Sequence, residues 1–275
     1  MQTPPRLTDP AALARNRARA TQAGLFLQRL VAEDVQDRLG MVNRTFTAPV
    51  VVTGFPGVWP DMPTVAEGEV LDLAPGAHDL VIHALGLHWA NDPVGQLVQC
   101  RRALRPDGLL IAPLFGGQTL HELRAALAEA EAEVTGGLSP RVLPMGEIRD
   151  LGGLMQRAGL ALPVADSLDQ RVLYRDLFHL MADLRAMGET NALARRLRRP
   201  TRRAVFRRAA EIYARTWGDG QGRIPATFEI IVLTGWAPGP DQQKPLRPGS
   251  AAARLADALG AAELKLPSRP GTHSG

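Results

Sequence analysis

The fold is decided by residues 79–115, DLVIHALGLHWANDPVGQLVQCRRALRPDGLLIAPLF. This stretch begins and ends with largely apolar runs at 79–85 and 109–115, which are typical of strands buried on both faces of a sheet. Between them, Pro93 opens a helical pattern, and the turn sequence RPDG follows at 105–108. A strand, a helix and a second strand in this order predict one βαβ unit of a parallel sheet.

The rest of the chain continues this alternation of strands and helices. Residues 49–53, PVVVT, predict a buried strand, and residues 226–237, ATFEIIVLTGWA, predict the closing strand. Helical patterns occupy 9–39, 118–133, 146–158, 175–187 and 201–217, and two short apolar segments lie at 160–166 and 171–174. Thr119 and Glu122 have the spacing of a capping box. The sequence therefore predicts an α/β fold with a doubly wound, mostly parallel sheet.

Three regions follow from these patterns. Residues 1–45 are predicted to be an N-terminal helical extension, and residues 46–237 the main domain, with a helical insertion at 175–217. Residues 238–275 are rich in Pro, Gly, Ala and polar residues, which predicts a flexible tail with room for one short helix after Ser250.

Composition narrows the class of protein. The chain has 275 residues and a single cysteine, Cys100, which excludes an internal disulfide and a thiolate metal cluster. No window approaches the ~18 consecutive apolar residues of a membrane span. His83, His88 and His121 lack the spacing of metal ligands, so no metal site is predicted.

Nearly all the positive charge is arginine, because lysine occurs only at 244 and 265. The densest run is ARRLRRPTRRAVFRR at 194–208. This run is either a solvated helical surface or a contact for an acidic partner, with Arg195 and Arg198 as candidates. It lacks the aromatic interleaving of a base-stacking platform, so nucleic-acid binding is not expected.

Several stretches of the sequence also resemble a known family. Residues 78–127, which include LHWAND and FGGQTLHELR, resemble the second half of a class I S-adenosylmethionine-dependent methyltransferase. The more specific resemblance is to the family containing the mitochondrial complex I assembly factor that acts as an arginine hydroxylase, with its α-proteobacterial relatives. It continues through residues 136–160, 177–192 and 222–237 and through LARNRARATQAGLFLQRLVAEDVQDRL near the amino end. More distantly, the chain resembles the carrier-protein methyltransferase of biotin synthesis.

The resemblance implies a Rossmann-like sheet of seven strands whose last strand is antiparallel. It also implies the location of a site. The candidate catalytic residues are His88, Trp89 and Asp92, the neighbouring cofactor contact is Leu87, and the candidate substrate contacts are Gly116, Gly117 and Glu122. From the residues alone, Asp92 is equally a helix cap and Glu122 equally a structural group.

The chain departs from that family at VVVTGFPGVWPDM, residues 50–62. The family has an acidic residue and a glycine-rich loop after the first strand, whereas here Gly54 and Gly57 remain and Pro56 lacks an amide donor. Too few residues separate this loop from the strand at 79–85 to hold the further helix and strand that the family has there. The first half of the domain is therefore predicted to be shortened.

Glu67 and Glu69 are the acidic candidates left for the cofactor in this shortened half. A carboxylate that binds ribose hydroxyls is usual in dinucleotide-binding sheets, but these two residues are equally solvated loop carboxylates.

Two functions follow. The first is a methyltransferase-family protein that uses S-adenosylmethionine, acts on a protein substrate and takes part in respiratory complex I assembly. The alternative is a non-catalytic assembly factor that has lost the cofactor and binds a protein partner or complex I subunit. Either is expected in the bacterial cytoplasm, or at the inner membrane through a partner.

Overall fold

The computed structural model describes residues 6–240 and residue 242. The predicted flexible tail lies outside the described residues, apart from residues 238–240 and 242, and so does the short helix predicted after Ser250. In the described part of the chain, no helix combines the length and apolar character needed to cross a bilayer.

One sheet forms the centre of the fold. Its strands are β1 (Pro49–Thr53), β2 (Thr64–Ala66), β3 (His78–Ala84), β4 (Leu104–Gly116), β5 (Ala161–Tyr174) and β6 (Ile224–Trp236). The spatial order is β2–β1–β3–β4–β6–β5. The first four strands in that order are parallel, and β6 runs antiparallel to both β4 and β5. The predicted mostly parallel sheet with an antiparallel last strand is confirmed.

Helices cover both faces of the sheet. They are α1 (Pro10–Arg17), α2 (Phe26–Met41), α3 (Pro93–Ala103), α4 (His121–Thr135), α5 (Ile148–Arg157), α6 (Leu177–Ala186) and α7 (Arg203–Trp217). Helices α2, α4, α6 and α7 bury apolar residues in one core, and α3 and α5 bury theirs in the other, where Cys100 is fully buried. This two-sided cover is the predicted doubly wound arrangement.

The first half of the sheet is short, as the sequence predicts. A 3₁₀ turn (Pro56–Val58) and the three-residue strand β2 are the only regular elements between β1 and β3 in the described chain. The described sheet therefore has six strands and not the seven that the resemblance implies. The connection between β1 and β3 is too short for another helix and strand.

The N-terminal region is not the single helix predicted over 9–39. Helix α1 is short, and a 3₁₀ turn (Gln22–Gly24) separates it from α2. The amide of Thr21 donates to the carbonyl of Ala186 at 2.8 Å, and Gly24 lies so close to the Ala186 backbone that a Cβ would clash. The break between α1 and α2 lets this turn pack beside α6. The apolar periodicity of residues 9–39 does not predict such a break.

Two local features go beyond or differ from the sequence patterns. The segments at 160–166 and 171–174 form the single strand β5, because successive residues from Val164 onward pair with β6. The capping box at the start of α4 does not form. Leu120 takes the left-handed conformation there, and Glu122 accepts from the Thr227 hydroxyl on β6.

Replacement of Asp79 tests the junction where β3 begins. Its buried carboxylate accepts from the Thr47 amide at 2.7 Å, the Thr47 hydroxyl at 2.9 Å and the Ala48 amide at 2.9 Å. We expect Asp79→Ala to lower the free energy of unfolding by about 3 kcal/mol, because it leaves donors without an acceptor. Urea unfolding measures this, with the exposed Asp72→Ala as control. Equal losses in both variants would contradict the assignment.

Candidate functional site

A cluster of charged side chains is buried where the carboxyl ends of β1 and β3 meet α1. The Arg17 guanidinium donates from Nε to Glu67 Oε1 at 2.9 Å and from Nη1 to Glu189 Oε1 at 2.5 Å. Its Nη2 donates to the Leu85 carbonyl at 3.1 Å, and its Cζ lies 4.6 Å from the centroid of the Phe55 ring. Arg17, Glu67 and Glu189 are called the charge cluster below.

Glu189 joins the charge cluster to the residues that follow β3. Its Oε2 accepts from the Trp89 indole Nε1 at 2.7 Å and lies 3.4 Å from His88 Nε2. Burial alone would raise the pKa of Glu189, but Arg17, His88 and Trp89 together lower it to about 2. Burial alone would lower the pKa of Arg17, and Glu189 and Glu67 raise it. Both groups are therefore charged inside the protein.

The charge cluster fills the space in front of two glycines. Gly54 follows β1 and Gly86 follows β3. A Cβ on Gly54 would lie 2.6 Å from Glu67 Oε1, and a Cβ on Gly86 would lie 2.6 Å from Glu67 Oε2. The Glu67 carboxylate thus lies between the two strand ends, in the crevice where doubly wound sheets bind ligands.

Two cavities flank the charge cluster, and Trp89 lines both. The α1 cavity, of about 120 Å³, is bounded by Glu67, Gly86 and residues of α1. The β4 cavity, of about 200 Å³, lies on the Glu189 side. Its apolar walls come from β4, α4, α6, α7 and β6, and include Phe115, Leu123, Met181, Phe206 and Phe228.

The structure brings together His88, Trp89, Gly54 and Glu67 from the predicted site. Asp92 is not among them, because it is exposed and its carboxylate accepts from the Gly95 amide at 2.8 Å, as the helix-cap interpretation predicts.

Three further candidates lie around the edges of this region. Glu69 is exposed, 3.9 Å from Arg6, and also borders the α1 cavity. Leu87 is buried in the core beneath α3, away from the charge cluster's hydrogen bonds. Gly57 lies in the 3₁₀ turn beside the Gln22 side chain.

The candidate substrate residues after β4 stabilise a turn. Gly117 has a φ of 48° and lies against the Glu229 carboxylate, and Gly116 packs against the side chain of β6 residue Ile231. Glu122 is buried by its contact with β6. These three residues hold the turn that carries Thr119 and Leu120, which do line the β4 cavity.

The arginine-rich segment is largely at the surface. Arg195 is exposed, and Arg198 lies 3.3 Å from the Asp9 carboxylate, which also accepts from Arg196 at 2.9 Å. Among residues 6–240, no group of three or more His, Cys, Asp or Glu side chains could hold a metal ion.

Arg17 and Glu189 were not among the site residues predicted from the sequence. Arg17 lies between the exposed Arg15 and Arg19 in the sequence. Nothing in the local sequence pattern indicates that Arg17 is the buried one. Glu189 carries a weak signal, because it directly follows Gly188, which ends α6 with a φ of 78°. A carboxylate directly after such a helix stop is a reason to look for a long-range partner.

Glu189 makes a pH-dependent contribution to stability. A carboxylate whose pKa falls from 4.5 to about 2 on folding stabilises the protein above pH 4.5, and that contribution disappears as the pH falls toward about 2. We expect Glu189→Gln to be less stable than the wild type at neutral pH, with the gap narrowing through this window. Unfolding at several pH values tests this, with the exposed Glu33→Gln as control. A gap independent of pH would contradict the assignment.

The chain is similar in sequence to known proteins over part of its length. Residues 57–112 match the sequence family described as a methyltransferase domain. The arginine-hydroxylase NDUFAF5, mitochondrial, of Danio rerio is 39% identical over 196 residues, which cover 70% of this chain and 60% of that protein. Its human namesake is 39% identical over 195 residues, covering 70% of this chain and 55% of that protein.

A third relative is named for a different activity. The malonyl-(acyl-carrier protein) O-methyltransferase of Laribacter hongkongensis is 35% identical over 184 residues, which cover 67% of this chain and 59% of that protein. The chain thus spans between about half and three fifths of the length of these relatives. Residues 57–112 are similar to a methyltransferase domain, and the predicted resemblance of the chain to methyltransferases and to the arginine-hydroxylase proteins is confirmed.

Proposed function

We propose that this protein recognises a protein partner through the β4 cavity during assembly of respiratory complex I, and that it does so without transferring a methyl group. The observation that carries this proposal is the filled crevice between Gly54 and Gly86. The resemblance to a complex I assembly family gives the biological setting.

The residues around the crevice do not fit S-adenosylmethionine. The space that glycines leave for a cofactor is taken up by Glu67 and Arg17, which hydrogen-bond to each other at 2.9 Å. Pro56 offers no amide donor in the loop after β1. The adjoining α1 cavity, at about 120 Å³, is smaller than the ~300–1,000 Å³ typical of small-molecule sites. No reaction step through this cofactor follows from the geometry.

The β4 cavity fits a side chain from a partner. Phe115, Phe206 and Phe228 form apolar and aromatic walls, and Glu189 places a carboxylate at one end. The charge cluster contains one positive and two negative formal charges, which favours a cation beside Glu189. Two arginines also line the cavity: Arg141, which is paired with Glu131 at 2.6 Å, and the exposed Arg185. An arginine side chain has the apolar stem and cationic head for such a cavity, and the relatives named arginine-hydroxylase are named for that residue.

A second candidate function is an S-adenosylmethionine-dependent enzyme that modifies a protein side chain by methyl transfer or hydroxylation. The methyltransferase-domain match at 57–112 favours it. This function would require Arg17 and Glu67 to separate, so that the crevice and the α1 cavity become one space. The two candidate functions therefore differ in whether S-adenosylmethionine binds to the folded protein.

Calorimetric titration with S-adenosylmethionine and with S-adenosylhomocysteine separates the two candidates. We expect no heat of binding at millimolar ligand, because the Arg17–Glu67 pair occupies the crevice. Micromolar binding that is lost in a His88→Ala, Trp89→Ala double variant would contradict the proposal and support the enzyme.

The partner role is tested in the organism that encodes the chain. We expect loss of the gene to reduce the amount of assembled complex I on native gels, and the wild-type chain to restore it. Phe206→Glu, which places a charge in the wall of the β4 cavity, is expected not to restore it. Phe178→Glu is the matched control, because Phe178 is exposed on α6.

Thermal melting of both variants checks that each is folded. Normal amounts of complex I without the gene, or equal restoration of complex I by both variants, would contradict the partner role.

A further inference from the structure

The charge cluster contains more negative than positive charges. Arg17 is one cation shared by two carboxylates, and the side chains of Arg17, Glu67 and Glu189 are 7%, 16% and 6% exposed. Carboxylates removed from water to this extent are costly unless a cation and hydrogen bonds compensate them. The two carboxylates therefore depend on the guanidinium that lies between them.

The surroundings of that guanidinium have the form of a ligand site. Its three donating nitrogens meet three acceptors, one each on Glu67, Glu189 and the Leu85 backbone. The Phe55 ring lies against the cation. The acceptors come from the loop after β2, the turn after α6 and the end of β3, whereas the cation comes from α1. The main domain thus builds the site and the N-terminal extension fills it.

We propose that the crevice between Gly54 and Gly86 is a binding site for a planar, monovalent cation of the guanidinium type, which this chain occupies with its own Arg17 side chain. Arg17 stands where a diffusible ligand would otherwise bind. This inference does not depend on the identity of any protein partner.

Arg17 is also a positioning residue for the β4 cavity. It holds Glu189 Oε1, and the other oxygen of the same carboxylate accepts from the Trp89 indole. Trp89 and Glu189 both line the β4 cavity. Loss of the guanidinium is therefore expected to shift the Glu189 carboxylate and to change the hydrogen bond that the indole donates to it, and a replacement cation is expected to restore the original arrangement.

Chemical rescue tests the site. We expect Arg17→Ala to lower Tm by about 10 °C, because it leaves two buried carboxylates without their cation. Millimolar guanidinium or methylguanidinium is expected to raise the Tm of this variant in proportion to the logarithm of its concentration. Equimolar sodium chloride, tetramethylammonium chloride and urea are expected not to do so. Arg15→Ala, on the exposed side of the same helix, is the control.

The NMR signal of the Trp89 indole N–H distinguishes this role from a general loss of stability, which would not shift it. This N–H resonance, assigned with a Trp89→Phe variant, is expected to shift in Arg17→Ala and to return toward the wild-type position when guanidinium is added. The inference is overturned if guanidinium rescues no better than sodium chloride or urea, or if Arg17→Ala is as stable as Arg15→Ala.

A second variant keeps the test decisive if Arg17→Ala does not fold. Arg17→Ala combined with Glu67→Gln removes one of the two carboxylates, so the double variant is expected to be more stable than Arg17→Ala alone. No gain in stability would overturn the inference. Binding of S-adenosylmethionine to the wild type would contradict the proposed function, whereas failure of guanidinium rescue contradicts only the cation site.

Discussion

Two buried carboxylates share one guanidinium, and the arrangement of the whole site follows from that sharing. Arg17 reaches from α1 to the loop after β2, to the end of β3 and to the turn after α6, so one side chain ties four segments together. Each contact is strong because the groups are shielded from water, and each would be costly if its partner were removed. Of the charge cluster, Glu67 lines the α1 cavity and Glu189 lines the β4 cavity.

The shortened first half of the sheet explains why the crevice is filled. In a longer connection, a helix would carry the chain away from the strand ends before the next strand begins. Here β2 has three residues and ends immediately before Glu67, so the carboxylate emerges directly beside Gly54 and Gly86. The missing elements and the occupied crevice are therefore one structural change. In the described chain, the half of the domain that follows β3 contains β4, β5, β6, the helices α3 to α7 and the β4 cavity.

Strands β1, β3, β4 and β6 could be predicted because their apolar runs are local, and the antiparallel direction of the last strand followed from the resemblance. The site could be predicted only in part. His88, Trp89 and Gly54 follow strands directly, so their place at the sheet edge is a consequence of the fold. Arg17 and Glu189 are 172 residues apart in sequence, and no periodicity relates them. The break between α1 and α2 was missed for the same reason, because the contact with Ala186 that requires it is long-range.

The occupied crevice is tested most directly by a crystal structure of the protein grown with saturating S-adenosylmethionine. The account predicts the Arg17 guanidinium between Glu67 and Glu189, with no adenosyl group bound between Gly54 and Gly86. An adenosyl group in that crevice, with Arg17 displaced from both carboxylates, would contradict it and would mark the chain as a cofactor-binding enzyme.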